Sequence, residues 1–286
     1  MQNPLQNTTL NLATFYWKNL DIDGTIVQRY GSIFQPVSIS QTMEKDLCAS
    51  ENWLRSMGCT KIFAPLGDST WNTYRNIIWS TERPLFFREN VCVESPQFWL
   101  DNGYQIEEHY VSTHTSHREQ IQRCETSSAR AQGQGWRIVS IREYPLQQAL
   151  EQCHDIVNQS FVESPFFTPI SREAFVHSYS QILSQLDSRL LLLAVHPDGN
   201  IGGFCLAYPD LQNPSYNEVI LKTLAVHPMC AGSGVGMYLT SEMHKIAESL
   251  GYTGGGIHAL MWQNSRSQHM TQGTVIRRYG LFAKQL

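Results

Sequence analysis

At 286 residues the chain is long enough to bury a large core, as one big domain or as two of ordinary size. Apolar residues make up 42% and charged residues 16%, a balance that excludes disorder. A formal charge of −4 without a basic run leaves no footprint for nucleic acid, and no stretch nears the roughly 18 consecutive apolar residues that span a bilayer.

In chain order, residues 10–18 and 25–33 read as a hairpin, with Asp21-Ile22-Asp23-Gly24 supplying the turn. Residues 38–57 read as a helix with apolar positions at Met43, Leu47, Trp53, Leu54 and Met57, closed by Gly58. A short buried strand at 61–64 follows. The polar and aromatic run Gly67-Asp68-Ser69-Thr70-Trp71-Asn72-Thr73-Tyr74-Arg75 either lines an acceptor cleft or starts a capped helix at Asp68 or Ser69. A short helix at 96–102 ends at Gly103, and a strand covers 105–112. Residues 118–135 hold very few large apolar side chains, so they read as a linker or a polar helix ending at Gly133-Gln134-Gly135. This divides the chain into an N-terminal domain at 1–117, the polar segment at 118–135 and a C-terminal domain at 136–286.

The C-terminal domain opens with a strand at 136–141 and helices at 146–161 and 172–186. Strands at 190–195 and 201–208 form a hairpin across Pro197-Asp198-Gly199-Asn200. An apolar strand at 218–226, a helix at 237–250, a strand at 256–261, a short helix at 264–272 and a strand at 275–284 complete it. The order β-α-α-β-β-β-α-β-α-β predicts a mixed-sheet α/β domain of the α+β kind.

The informative stretch runs from Leu224-Ala225-Val226-His227-Pro228 through Ala231-Gly232-Ser233-Gly234-Val235-Gly236. Pro228 ends the strand ladder, because it lacks an N–H. The alternating glycines let consecutive backbone N–H groups gather on one concave surface at the start of a helix. Such a place favours a phosphate or pyrophosphate; the bland alternative is a turn that only joins strand to helix. A P-loop would need a Lys after the last glycine, and a dinucleotide fingerprint would need GxGxxG spacing, where this chain has GxGxG.

With its surroundings, this stretch resembles the GCN5-related N-acetyltransferase (GNAT) family, whose pyrophosphate loop is written [QR]-x-x-G-x-[GA] after a strand ending in V-x-P. Val226-His227-Pro228 and Gly234-Val235-Gly236 match it, while Ala231 stands where the family has Gln or Arg. The resemblance covers about residues 136–286. A weaker echo around residues 53–64 and 98–104, without a glycine loop, reads as a degenerate second GNAT-like unit. The resemblance implies a V-shaped opening between the strand ending at Val226 and the strand at 257–261. It implies acetyl-CoA as co-substrate, with its pyrophosphate on Ala231, Gly232, Ser233, Gly234, Val235 and Gly236. Its pantetheine arm would then lie on the backbone of Leu224, Ala225 and Val226, near Asn264 and Ser267.

Acyl transfer to an amine needs a base for the ammonium and an acid for the departing thiolate. Glu218 or His258 is the expected base; each has a plain alternative, a solvated strand end or a buried structural histidine. The family's usual tyrosine acid falls on Thr271, which leaves Tyr279 as the nearest substitute. Arg277 and Arg278 would bind an anionic acceptor or the 3′-phosphate of coenzyme A, or sit in solvent. Cys230 suggests an acyl-cysteine, but no His-plus-acid arrangement adjoins it and direct transfer needs no nucleophile. The seven cysteines form no CxxC pair, so no metal site or disulfide framework is expected, and a polar N-terminus without a signal layout points to the cytoplasm. The expected activity is N-acetyl transfer from acetyl-CoA to a small-molecule or peptide primary amine, by a monomer or homodimer that engages neither nucleic acid nor membrane. The alternatives are a longer-acyl or aminoacyl transferase and a non-catalytic acyl-CoA-binding module.

Overall fold

The computed structural model describes residues 5–7, 13–20, 26–34, 43–67, 70–71, 74–89, 91–92, 95–162, 164, 166–185, 187–263 and 265–286. The chain divides into two compact units. One comprises Met1–Thr81, Asn90–Tyr110 and Arg277–Leu286; the other comprises Glu82–Glu89 and Val111–Ile276. This differs from a cut at 117 and 136. Segment 82–89 is tied to the second unit by hydrogen bonds from Phe87 N–H to Asp210 and from Asn213 to the Leu85 carbonyl. The last strand closes the first unit instead of the second. Neither tie leaves a local signature in sequence.

In the first unit, strands β1 (Leu5–Asn7), β2 (Ala13–Leu20) and β3 (Ile26–Phe34) form an antiparallel meander. Helix α1 (Met43–Ser56) leads to β4 (Lys61–Ala64), parallel to β3. Gly58 ends the helix as expected: it has φ +79°, and Cys59 N–H closes back on the Leu54 carbonyl at 3.1 Å. Strand β5 (Asn76–Ser80), which like β1 has no counterpart in the sequence reading, and helix α2 (Pro96–Asp101) precede β6 (Gln105–Thr115). The final strand β12 (Thr274–Gln285) pairs antiparallel with β4 and β5. Leu47 and Leu54 from α1 pack with Ile33, Ile62, Trp99, Tyr104 and Phe282 as the core of this unit.

The second unit starts with α3 (His117–Gly133), so the polar segment is a helix rather than a linker. Its N-terminus carries a reciprocal capping box between Ser116 and Glu119, a device that stabilises a helix by about 1 kcal/mol. Its buried stripe is His117, Gln120, Cys124, Ser128 and Ala131. The spacing is helical, but every member is small or polar, and for that reason hydropathy misses it.

Then follow β7 (Arg137–Ser140), α4 (Leu146–Ser160), α5 (Arg172–Gln185), β8 (Leu191–Val195), β9 (Ile201–Pro209) and β10 (Val219–Val226). Helix α6 (Val235–Ser249), β11 (Gly256–Trp262) and α7 (Arg266–Thr271) complete the unit. The strand order is β6-β11-β10-β9-β8-β7, with only β10 and β11 parallel among the registered pairs of this unit. Strands β8 and β9 are buried on both faces and therefore read as continuous apolar runs. On one face Leu192, Ala194, Cys205 and Ala207 meet Val235, Leu239, Met243 and Ala247 of α6. Phe204, on the other face, meets the ring of Tyr179 from α5. Among the described residues no helix is long and apolar enough to cross a membrane.

Candidate functional site

Strands β10 and β11 pair at Val219↔Gly256, Ile220↔Ile257 and Leu221↔His258, and the ladder goes no further. Two local features divert the strands there. The β10–β9 register shifts between Leu221 and Thr223, a bulge that bends the strand. Leu260 of β11 has φ +58°, a left-handed conformation costly for a large side chain, and its N–H is taken by Ser112 Oγ at 3.0 Å. Leu224, Ala225 and Val226 thus keep their β9 partners Cys205, Phe204 and Gly203 but have none on β11. Their second edge has no strand partner among the described residues, although the Val226 carbonyl accepts from Ser160 Oγ at 2.7 Å.

The glycine stretch lies at the end of that open strand. His227 N–H bonds to the Gly202 carbonyl at 2.9 Å, and Pro228 begins a single 3-10 turn ending at Cys230. Gly232 (φ +83°) and Gly234 (φ +91°) both need the left-handed region, and Gly234 is the N-cap of α6, without a side-chain cap. The first N–H groups of a helix have no carbonyl within it. Here the first helical bond is Tyr238 N–H to the Gly234 carbonyl, Val235 N–H is met by Ser233 Oγ, and Gly236 and Met237 N–H have no hydrogen-bond partner among the described residues. A Cβ at Gly234 would lie 2.3 Å from the Ser127 carbonyl oxygen of α3, so this glycine also permits helix–helix contact. A Cβ at Gly232 would meet nothing within 4 Å, which leaves room over the loop. Ala231 is exposed and contributes only backbone.

Glu218 immediately precedes β10 and is buried. Arg83 bonds one carboxylate oxygen and His114 Nε2 the other, the latter at 2.9 Å. Burial pushes this carboxyl up, but the hydrogen bonds from His114 and Arg83 outweigh it and hold Glu218 below the usual range. His114 Nε2 also lies 3.0 Å from the Gly254 carbonyl. Both neighbours are acceptors, so Nε2 carries a proton, and the ring is partly exposed. The sequence reading missed His114 and Arg83, since it ended the strand at 112 and gave segment 82–89 no role.

His258 is fully buried, one end of a chain of imidazoles. His117 Nε2 meets the Tyr252 carbonyl at 2.8 Å, His117 Nδ1 meets His244 Nδ1 at 2.8 Å, and His244 Nε2 meets His258 Nε2 at 3.0 Å. Because a carbonyl only accepts, each proton position follows in turn: His117 Nε2, His244 Nδ1 and His258 Nε2 carry hydrogen. Burial, with His114 and Arg123 nearby, pushes His258 down to about 3. Burial likewise lowers His244, strongly, and His117. The ring expected to have a favourable basicity is therefore a weak base.

The remaining expected residues are dispersed. Ser267 sits half-buried in α7, and Asn264 lies outside the described residues, as do Asp68 and Ser69. Thr271 is buried with its hydroxyl on the Gln268 carbonyl. Tyr279 and Arg277 are buried in the first unit, where the Tyr279 ring lies 5.7 Å from the Arg75 guanidinium. Burial raises the Cys230 thiol, which weakens it as a nucleophile. Among the described residues no group of three or more His, Cys, Asp or Glu could hold a metal ion.

No family model matches the sequence, and none of the curated proteins compared matches it. Solved structures do match in fold. A GCN5-related N-acetyltransferase from Sphaerobacter thermophilus superposes with a TM-score of 0.51 at 14% identity, over 96% of this chain and 76% of that one. A GCN5-related glucosamine N-acetyltransferase region in a fungal multi-domain GH3 β-N-acetylglucosaminidase gives 0.55 at 12% identity, over 95% of this chain and 33% of that one. A tandem GNAT protein from the clavulanic acid biosynthesis pathway gives 0.49 at 12%, over 96% and 83%. The fold is that of the GCN5-related N-acetyltransferases, and the first two likenesses run through both units rather than the C-terminal part alone.

Proposed function

We propose that the chain is an acyl-CoA-dependent N-acyltransferase that moves an acetyl group from acetyl-CoA to a primary amine by direct attack. The observation that carries this reading is the continuity of two features on one strand. Past Leu221 the edge of β10 has no strand partner, only Ser160 Oγ on the Val226 carbonyl, and the same strand runs into the glycine loop that begins α6, whose first N–H groups have no carbonyl within the helix. An extended arm with a pyrophosphate at one end fits both, and the space over Gly232 admits it.

Acetyl-CoA would supply the thioester carbonyl; the protein's part is to bind, orient and move protons. Leu224, Ala225 and Val226 offer backbone pairing to the arm, while Gly236 and Met237 N–H with the α6 dipole hold the phosphates. An ammonium with an ordinary pKa near 10.4 costs about 4.6 kcal/mol to deprotonate at neutral pH. In this reading His114 Nδ1 takes that proton, directly or through water, while Glu218 fixes the tautomer and steadies the imidazolium. Arg83 keeps Glu218 ionised. His258, held neutral in the buried chain, has no protolytic role here.

The test is calorimetric titration of acetyl-CoA and CoA, followed by thiol release with a panel of amino sugars, polyamines and lysine peptides. Binding with release by at least one amine supports the reading. Absence of CoA binding refutes it. Binding without release for acetyl, longer acyl and aminoacyl donors alike would identify an acyl-CoA-binding module, and release with only a non-acetyl donor would reassign the donor.

A further inference from the structure

The family's loop carries a Gln or Arg where this chain has Ala231, so the loop itself brings no side chain to the phosphates. A cation is present, but from another element. Arg130, on the last turn of α3, donates from Nη1 to the Gly232 carbonyl at 3.3 Å. Helix α3 is held against the loop closely enough that its Ser127 carbonyl oxygen lies 2.3 Å from where a Cβ on Gly234 would be. The position of Arg130 is thus set by backbone packing and not by a free surface rotamer alone. No salt bridge joins Arg130 to a carboxylate among the described residues. Its one side-chain hydrogen bond among the described residues goes to a neutral carbonyl near the long limit of such a bond, a contact easily exchanged for an anionic oxygen.

We infer that Arg130 is a phosphate-binding residue for the nucleotide end of coenzyme A, supplying from α3 the charge that Ala231 leaves out of the loop. This rests on the acyl-CoA reading above and adds to it a residue outside the loop. A guanidinium beside the glycine stretch complements what the stretch already offers. Backbone N–H groups and the helix dipole give partial charges, and Arg130 adds one full positive charge with a planar fork suited to phosphate. The side chain is exposed, so its contribution is screened by salt and modest in size. Two phosphate sources lie on the same ligand, the pyrophosphate and the 3′-phosphate, and the shared chemistry is a phosphate oxygen accepting from Nη1 or Nη2.

The experiment is calorimetric titration of the full chain and of Arg130→Gln and Arg130→Lys with CoA, 3′-dephospho-CoA and pantetheine, at low and high salt, with circular dichroism to confirm folding. Arg130→Gln is expected to weaken CoA about tenfold, the size of one exposed charge-assisted contact, and Arg130→Lys to recover part of it. The gap should shrink at high salt and vanish for pantetheine, which has no phosphodiester or 3′-phosphate. If the gap persists with 3′-dephospho-CoA the pyrophosphate is the partner; if it vanishes, the 3′-phosphate is. Equal CoA affinity for wild type and Arg130→Gln overturns the inference and leaves the acyl-CoA reading in place. No CoA binding by the wild type overturns both.

Discussion

Gly232 offers a test of the loop that separates charge from shape. Its φ of +83° suits Asn and Asp better than other side chains, and nothing lies within 4 Å of a Cβ there. Gly232→Asn and Gly232→Asp should therefore fold, each at a common cost of about 1 kcal/mol for the left-handed backbone. They differ only in a negative charge aimed at the phosphates. A carboxylate about 5 Å from a phosphate charge is repelled by about 1 kcal/mol in a water-like medium and about 3 kcal/mol at an effective dielectric of 20. Because Gly232 is exposed, the lower end applies, and two phosphate charges give roughly 1–2 kcal/mol, a five- to thirtyfold loss in CoA affinity. Titration calorimetry of both variants against wild type reads this directly, and raising the salt should narrow the gap as the screening length shortens. If Asp binds CoA as well as Asn does, the loop does not face a phosphate and the electrostatic argument fails. Gly234, although nearer the helix, is the wrong position for such a test, because any Cβ there collides with the α3 backbone.

Other outcomes follow from the same geometry. His114→Gln keeps a donor for Glu218 but loses the Nδ1 lone pair, so turnover should fall at least tenfold and the basic dependence of kcat/KM on pH should vanish, with acetyl-CoA affinity retained. An unchanged pH profile would remove His114 from the chemistry. The buried histidines make stability depend on pH with a definite sign. Their folded-state values lie below the unfolded 6.5, so the stability is complete above 6.5 and is lost as pH falls below it. His258, lowered to about 3, should alone withdraw about 2 kcal/mol by pH 5; urea midpoints at pH 7.5 and 5 that coincide would contradict this. Cys230→Ser should leave turnover within about twofold, since burial keeps the thiol protonated, and a large loss would revive a covalent route. Gly254→Ala should fail to fold or lose several kcal/mol, because its Cβ would lie 1.8 Å from the Tyr216 carbonyl oxygen; a variant as stable as wild type would show that the turn readily relaxes.

Local chemistry made much of the second unit legible. The apolar runs at β8 and β9 are buried on both sides, the turn at Pro197–Asn200 closes with His196 N–H donating to the Asn200 carbonyl at 2.9 Å, and Pro228 with its glycines marks the junction of strand and helix. These signals are encoded within a few residues, by side-chain periodicity and by backbone conformations that only certain residues adopt. Helix α3 shows where that stops: its stripe of His117, Gln120, Cys124, Ser128 and Ala131 is core only because α6 lies against it. Tertiary structure alone decided that Glu218 is locked between Arg83 and His114, residues 135 and 104 positions away, and that His258 is a neutral link in a buried chain. Composition cannot report such things, since the basicity of a group depends on which distant charges and how little water the fold brings to it. The glycine loop was readable in sequence because it depends on backbone conformations that glycine adopts readily; the charges around it were not, because they arrive from elsewhere in the chain.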